Sequence, residues 1–101
     1  MVVYSVERAP QRIRGLLSRY CLEVRAGLFV GRIDARMRDQ LWEKIETWAT
    51  KRLSAVMVWR EPTEQGYAFR TLGSDRRTPV MVDGLWLVVI EPEKAVTEDN
   101  E

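Results

Sequence analysis

The sequence has no histidine and a single cysteine, and these two scarcities argue against a zinc protein and against a disulfide-stabilised one. Without histidine, and with Cys21 as the only thiol, a zinc site would depend almost entirely on carboxylates, which is unusual for that metal. Mg²⁺ and Mn²⁺, which prefer oxygen ligands, are the metals that remain. A lone cysteine also excludes an intramolecular disulfide, so the composition gives no support to secretion.

Long apolar runs are absent as well. No apolar stretch approaches the roughly 20 residues that a membrane-spanning helix requires, and residues 1–6 lack the charged start of a signal peptide. We therefore predict a cytoplasmic protein that does not contact a membrane.

Arginine supplies thirteen of the sixteen basic side chains. A guanidinium group can hold two phosphate oxygens in a rigid fork, whereas a lysine ammonium is a mobile point charge. Residues 1–90 contain fifteen basic and ten acidic side chains, a net charge of +5, and residues 91–101 contain five acidic side chains and Lys94, a net charge of −4. The near-neutral total thus hides a basic body with an acidic tail, and the preference for arginine points to a phosphate ligand. The alternative is that the arginines only keep a small domain soluble.

The hydrophobic pattern of the first half predicts alternating strands and helices. Residues 2–6 are rich in β-branched and aromatic side chains, which is typical of a strand. Apolar residues recur at helical spacing over residues 10–21 and again after Asp34, which is a good helix N-cap. Residues 22–33 are predicted to be extended, as one or two strands, with a bulge or bend at Ala26-Gly27.

The second half predicts a hairpin and one more strand. Residues 53–60 and 66–72 form the hairpin, and residues 73–79 are expected to be a loop because of their glycine, proline and small polar content. Residues 85–90 are the last apolar strand, which follows a predicted turn at 83–84. The acidic residues 91–101 are predicted to be disordered.

This order of elements suits a split βαβ sheet with two helices on one face. We predict an α+β fold, a ferredoxin-like βαβ sandwich with an extra C-terminal strand, in a single domain of residues 1–90. A chain of 101 residues buries roughly 60–70% of its extended-chain surface, so the core is thin and a homodimer is expected to cover the open sheet face. Candidates to line that face are Trp59, Tyr67, Phe69 and Trp86, with core packing as the alternative.

Arg36 and Arg38 occupy the first turns of the predicted second helix. Positive charge there opposes the helix dipole, so a role other than helix stability is indicated, and phosphate binding is the hypothesis. A solvated helix face is the alternative for both residues.

Several fragments carry a family resemblance through their order and spacing. They are a first strand that ends in Glu7, followed by PQRIRG at 10–15, LEVRAGLFVG at 22–31, WE at 42–43 and RRTP at 76–79. Together they resemble the CRISPR-associated Cas-two proteins of the type I-E subtype. The resemblance implies a ferredoxin-like homodimer that lies between dimers of the Cas-one integrase and holds double-stranded protospacer DNA during spacer acquisition. In such relatives the small subunit is a scaffold without a required cofactor, and the integrase performs the insertion chemistry.

The resemblance also implies roles for particular residues. Residues of about 78–90 are implied to dock onto the integrase, and strand addition is a reasonable mode for that docking. The implied phosphate contacts are Arg14, Arg76 and Arg77, supported by Arg12, Arg36 and Arg38. The implied docking residues are Thr78, Pro79, Leu85, Trp86, Leu87, Val88, Val89 and Ile90.

A second function of the family concerns Glu7. Many Cas-two proteins are metal-dependent endonucleases with an aspartate at the end of the first strand, where two carboxylates of a dimer can hold Mg²⁺ or Mn²⁺ near the scissile phosphate. Glu7 occupies that place here, as metal ligand and catalytic residue of an alternative RNA or DNA endonuclease. Its side chain is one methylene longer, and an ion pair with Arg8 or Arg12 is an equally simple role. A regulatory module without nucleic-acid contact is a third hypothesis.

Overall fold

A computed structural model describes residues 1–73, 77–82 and 85–90, with side-chain surroundings for residues 1–73. Over these residues the chain forms seven strands and two helices. In chain order they are β1 (Val2–Glu7), α1 (Gln11–Tyr20), β2 (Leu22–Arg25), β3 (Leu28–Gly31), α2 (Ala35–Thr47), β4 (Ser54–Arg60), β5 (Tyr67–Gly73), β6 (Arg77–Val82) and β7 (Leu85–Ile90).

Strand β1 lies at the centre of a five-stranded antiparallel sheet. The strand order is β2-β3-β1-β4-β5, so β1 pairs with β3 on one side and with β4 on the other. Helix α1 connects β1 to β2, and α2 connects β3 to β4. The predicted α+β class and ferredoxin-like arrangement are therefore confirmed.

The core forms between the two helices and one face of this sheet. Val2, Tyr4 and Val6 are buried while the residues between them are more exposed, as the two-residue period of a strand requires. We call the face that carries these three side chains the helix-covered face. The other buried apolar side chains of the core are Ile13, Leu17, Phe29, Leu41, Trp42, Ile45, Leu53, Ala55, Met57 and Trp59.

The face of the sheet that points away from the helices carries a continuous line of apolar residues. Val3 is paired with Val30 on one side and with Val58 on the other. Leu22 extends the line beyond Val30, and Phe69 extends it beyond Val58, so that it crosses all five strands. Leu22 is 69% exposed, and the other four side chains are partly exposed. We call these five residues the apolar row.

One glycine, Gly27, explains where β2 ends and β3 begins, and one cap residue, Asp34, explains where α2 begins. Gly27 turns the chain between β2 and β3 with φ of 79°, and a Cβ at this position would overlap the Val6 carbonyl oxygen. Residues 22–33 are accordingly two strands. The Asp34 carboxylate accepts a hydrogen bond from the Met37 amide at 2.8 Å, which confirms the predicted N-cap of α2.

The predicted loop over residues 73–79 is wrong in its second half. Residues 77–79 open β6, which pairs antiparallel with β7 from Arg77 opposite Ile90 to Val82 opposite Leu85. The extra C-terminal strand is therefore one half of a two-stranded sheet. Pairing with β7 outweighs the turn-forming composition, and proline is tolerated in strands without a neighbour on its N–H side. The predicted turn at 83–84 and the predicted disordered tail at 91–101 lie outside the described residues.

Trp59 does not line the open face, which corrects one expectation. Its cross-strand neighbour is Val2, so Trp59 lies on the helix-covered face, where it is only 9% exposed. Core packing, the alternative that the sequence left open, is the correct interpretation. Tyr67 and Phe69 do belong to the open face, with ring centroids 6.3 Å apart, and the side chain of Trp86 lies outside the described residues.

Candidate nucleic-acid interface

Arg14 contacts a carboxylate at the edge of the sheet. It lies on α1, and one of its terminal guanidinium nitrogens is 3.3 Å from Oε2 of Glu23 on β2. The same oxygen accepts a hydrogen bond from the Gly27 amide at 2.9 Å. This amide hydrogen bond, together with the guanidinium, lowers the pKa of the Glu23 carboxyl. The Arg14 side chain remains 44% exposed, so a phosphate can reach it from solvent.

The end of β1 brings a second arginine close to Arg14. Arg8 adopts a left-handed backbone conformation with φ of 56°, which is uncommon for arginine. Its Nε donates to the Arg52 carbonyl oxygen at 2.8 Å, and a terminal nitrogen lies 3.8 Å from the Glu7 carboxylate. Glu7, Arg8 and Arg14 thus share one open depression of about 390 Å³, which is also lined by Val6, Ala9, Ala26 and Gly27.

Sequence reasoning treated Arg8 only as an ion-pair partner of Glu7. The structure adds its place beside Arg14, which depends on the reversal of the chain after β1. Placing a residue of this kind in a left-handed conformation costs of order 1 kcal/mol, so the surrounding contacts must hold it there. The sequence offered no signal for this turn, because arginine is not a turn-forming residue.

Arg12 lies on α1 and faces the end of α2. Its guanidinium carbon is 4.7 Å from the centroid of a Trp48 ring, and Lys44 Nζ is 5.7 Å from a ring centroid of the same side chain. Such cation–π contacts are worth about 0.5–1 kcal/mol at exposed sites. The stacking orients Arg12 and joins α1 to α2 without neutralising its charge.

Arg38 is engaged by internal contacts. It donates to both carboxylate oxygens of Asp39, at 2.8 and 3.3 Å, and stacks 4.1 Å from the centroid of a Trp59 ring. The hydrogen bonds from Arg38 lower the pKa of the Asp39 carboxyl. Its side chain is only 15% exposed, so a solvated helix face does not describe it. These contacts give a structural reason for a cation near the helix start, where the dipole alone would disfavour it.

Arg36 differs from Arg38 although both lie in the first turns of α2. It is exposed and lies beside an open depression of about 420 Å³ whose lining includes Tyr20, Ile33 and Met37. Within the part of the chain that the structure describes, Arg36 makes no ion pair. Its guanidinium is therefore accessible to a phosphate.

The remaining predicted site residues lie in or near the C-terminal hairpin. Arg76 is outside the described residues, and Arg77 is the first residue of β6. The predicted docking residues fall on both strands of the β6–β7 sheet: Thr78 and Pro79 on β6, and Leu85, Trp86, Leu87, Val88, Val89 and Ile90 on β7. The hairpin thus places them in a single supersecondary unit.

The acidic side chains of the described residues do not gather into a metal site. Among residues 1–73, 77–82 and 85–90, no group of three or more histidine, cysteine, aspartate or glutamate side chains could hold a metal ion. Glu7 has a 70% exposed carboxylate whose ion-pair partner is Arg8. Among the described residues that line its depression, Glu7 supplies the carboxylate and has Arg8 beside it, which is a poor donor set for Mg²⁺ or Mn²⁺. None of the helices in these residues is long and apolar enough to cross a membrane.

One comparison with known families matches nearly the whole fold. The family model described as CRISPR-associated protein (Cas_Cas2CT1978) matches residues 1–87. The match includes the five-stranded sheet, both helices, β6 and the first half of β7.

Proposed function

The chain belongs to a Cas-two family of CRISPR-associated proteins, and from this we propose that it is a cytoplasmic, non-catalytic dimeric scaffold for spacer acquisition in a type I-E system. It binds double-stranded protospacer DNA through arginines and bridges Cas-one integrase dimers in defence against foreign DNA. The observation that carries the DNA-binding role is that Arg12, Arg14 and Arg36 are exposed to solvent, and that Arg12 and Arg36 make no ion pair among the described residues. Among residues 1–73, only Arg8, Arg14 and Arg38 lie within ion-pair distance of a carboxylate that belongs to the same residues.

Exposed guanidinium groups favour a ligand with a repeating negative charge. Arginine contacts to phosphates position a duplex without reading its bases, which suits the capture of arbitrary sequence. The contact set that we propose is Arg14, Arg76 and Arg77, supported by Arg12 and Arg36. Arg38 is better explained by Asp39 and Trp59, and we assign it a structural role. Binding of labelled duplex DNA, measured over a range of salt concentrations, tests this proposal.

The apolar row supports the proposed homodimer. A small sheet with helices on one face leaves its other face open to water, and packing two such faces together removes both from solvent. Val3 lies at the centre of this face, on the middle strand β1, and Val58 lies beside it on β4. A two-fold axis through it would present each arginine cluster twice and bring the two Glu7 carboxylates to the same interface. The proposed DNA-binding surface therefore extends across both protomers.

Deleting residues 78–101 is expected to abolish association with the integrase, because it removes nearly all of the β6–β7 sheet and keeps Arg77. A cut before Leu85 would instead leave β6 without its partner strand. Co-purification with tagged Cas-one measures the loss. Deletion of residues 91–101 alone is the matched control and should leave association intact. Normal co-purification of the 78–101 deletion, folded by circular dichroism, would show that docking occurs elsewhere.

The alternative function is a Mg²⁺-dependent endonuclease for RNA or DNA that uses Glu7. Its support is the position of this carboxylate, which is exposed at the end of β1 on the open face, where a dimer would repeat it. In that case Glu7 of each protomer would hold the metal, which would activate a water for attack on phosphate. The pairing with Arg8 favours the scaffold instead.

Glu7→Gln separates these two functions. For the scaffold we expect DNA retention without cleavage in both the natural protein and the variant, with and without Mg²⁺. Gel analysis of labelled duplex and single-stranded substrates provides the measurement, with Glu64→Gln in the β4–β5 turn as the matched loss of one carboxylate. Metal-dependent cutting that disappears only in Glu7→Gln would make the protein an enzyme. Cutting that persists in this variant would indicate contamination or another site.

A further inference from the structure

A chain of contacts fixes Glu23 in front of Arg14. The Val6 amide donates to the Gly27 carbonyl oxygen at 2.8 Å, which joins the β2–β3 turn to the end of β1. The Gly27 amide in turn donates to Glu23 Oε2 at 2.9 Å. Because a Cβ at Gly27 would overlap the Val6 carbonyl oxygen, this turn packs tightly against β1. The Glu23 carboxylate is therefore held by the backbone and not only by its arginine partner.

The contact from Arg14 to this fixed carboxylate is a weak one. A single guanidinium nitrogen approaches one oxygen, at 3.3 Å, and the two side chains are 44% and 31% exposed. Exposed ion pairs of this kind contribute little to stability. A phosphate can offer Arg14 two oxygens at shorter distances, which is the stronger arrangement. A nucleic-acid phosphate can therefore displace Glu23 as the partner of Arg14.

We propose that Glu23 is an internal competitor for Arg14, which a duplex phosphate must displace and which weakens DNA binding by the resting protein. This inference rests on the proposed DNA-binding function. A phosphate bound to Arg14 lies within a few ångströms of the Glu23 carboxylate and is repelled by it, since their separation is shorter than the Debye length of about 10 Å at 0.1 M salt. The carboxylate keeps its place after displacement because the Gly27 amide still binds it. Arg14 then binds DNA tightly only when neighbouring arginines also bind phosphates of the same duplex.

Glu23→Gln tests this role with little change of shape. A glutamine oxygen can still accept from the Gly27 amide, while the negative charge that attracts Arg14 is lost. We expect the variant to bind duplex DNA roughly three- to tenfold more tightly at low salt, with a thermal midpoint close to that of the natural protein. Fluorescence anisotropy with labelled duplex measures the affinity.

Two controls show whether the effect passes through Arg14. Glu64→Gln removes the same charge from the turn between β4 and β5, at the opposite edge of the sheet from β2, and should change affinity less than Glu23→Gln. In an Arg14→Ala background, Glu23→Gln should have no effect on affinity. A double-mutant cycle of this kind isolates the coupling between the two side chains.

The other outcomes are distinguishable from one another. Unchanged or weaker binding by Glu23→Gln, with clear binding by the natural protein, would overturn the competitor role and leave the proposed function intact. The same gain with Arg14→Ala, or an equal gain from Glu64→Gln, would also overturn it, since the effect would then be one of net charge. Absence of DNA binding by the natural protein at low salt would remove the proposed function and the role of Glu23 together.

Discussion

Replacing Val58 by glutamate is expected to dissociate the proposed homodimer into monomers. Val58 lies on β4 within the apolar row, between Val3 and Phe69. Packing of two such faces around a two-fold axis would bury this position twice, so that one substitution places two carboxylates in the interface. An unpaired buried charge costs about 3–5 kcal/mol, and about 4 kcal/mol corresponds to roughly a thousandfold in the dissociation constant. Sedimentation velocity at micromolar concentration measures the change.

The variant itself should remain folded, because Val58 is only partly buried and lies on the face away from the helices. The lower strand propensity of glutamate reduces the free energy of unfolding by about 1 kcal/mol at most. Ser18→Glu, on an exposed position of α1, is the matched control and should stay dimeric. A folded Val58→Glu variant that is still a dimer would place the interface on another surface. A natural protein that is monomeric at these concentrations would contradict the proposed homodimer.

The position of Trp59 shows a case in which the sequence pattern does not predict which face of the sheet a side chain lies on. Residues 55–59 read Ala-Val-Met-Val-Trp, so both faces of β4 are apolar and no alternation tells one from the other. Only the register with β1 decides the matter, because Val2 opposite Trp59 is in the core and Val3 opposite Val58 is not. By contrast, β1 alternates with polar residues at Ser5 and Glu7, and its faces were readable from the sequence. A one-residue step in register exchanges the two faces of a strand.

Strand β6 was missed for a related reason. Residues 77–79 combine arginine, threonine and proline shortly after Gly73, Ser74 and Asp75, and local composition favours a loop. The strand exists because β7 pairs with it over six positions. The helices were easier to predict, since a 3.6-residue apolar period and the Asp34 cap are local signals.

The site was predictable in its residue types but not in its contacts. The arginine bias and the family fragments indicate phosphate binding, and exposed Arg14 and Arg36 remain compatible with that hypothesis. The sequence could not show that Arg38 stacks on Trp59, because the two residues are distant along the chain and meet only through the packing of α2 on the sheet. For the same reason it could not show that the Gly27 turn fixes Glu23 beside Arg14. Contacts between residues distant in sequence thus decide which arginines are available to a phosphate.

Replacing Arg14, Arg76 and Arg77 together by alanine is expected to weaken binding of duplex DNA by roughly a hundredfold or more near 0.1 M salt. A dimer loses six guanidinium groups in this variant, and each phosphate neutralised contributes about −0.9 to the slope of log affinity against log salt. The slope should therefore become shallower by about 5 if all six contacts form. Fluorescence anisotropy at several salt concentrations measures the affinity and the slope, and sedimentation velocity shows whether the dimer persists.

A second triple variant separates these contacts from the general basic charge. Arg19, Arg32 and Arg70 are exposed, and none belongs to the proposed contact set. Their replacement by alanine removes the same charge but should reduce the slope much less, because counterions are released only where a phosphate is bound closely. Equal losses in the two variants would mean that DNA responds to net charge rather than to a defined track. Unchanged affinity and slope in the first variant would contradict phosphate binding by these arginines, and the preference for arginine would then need another explanation.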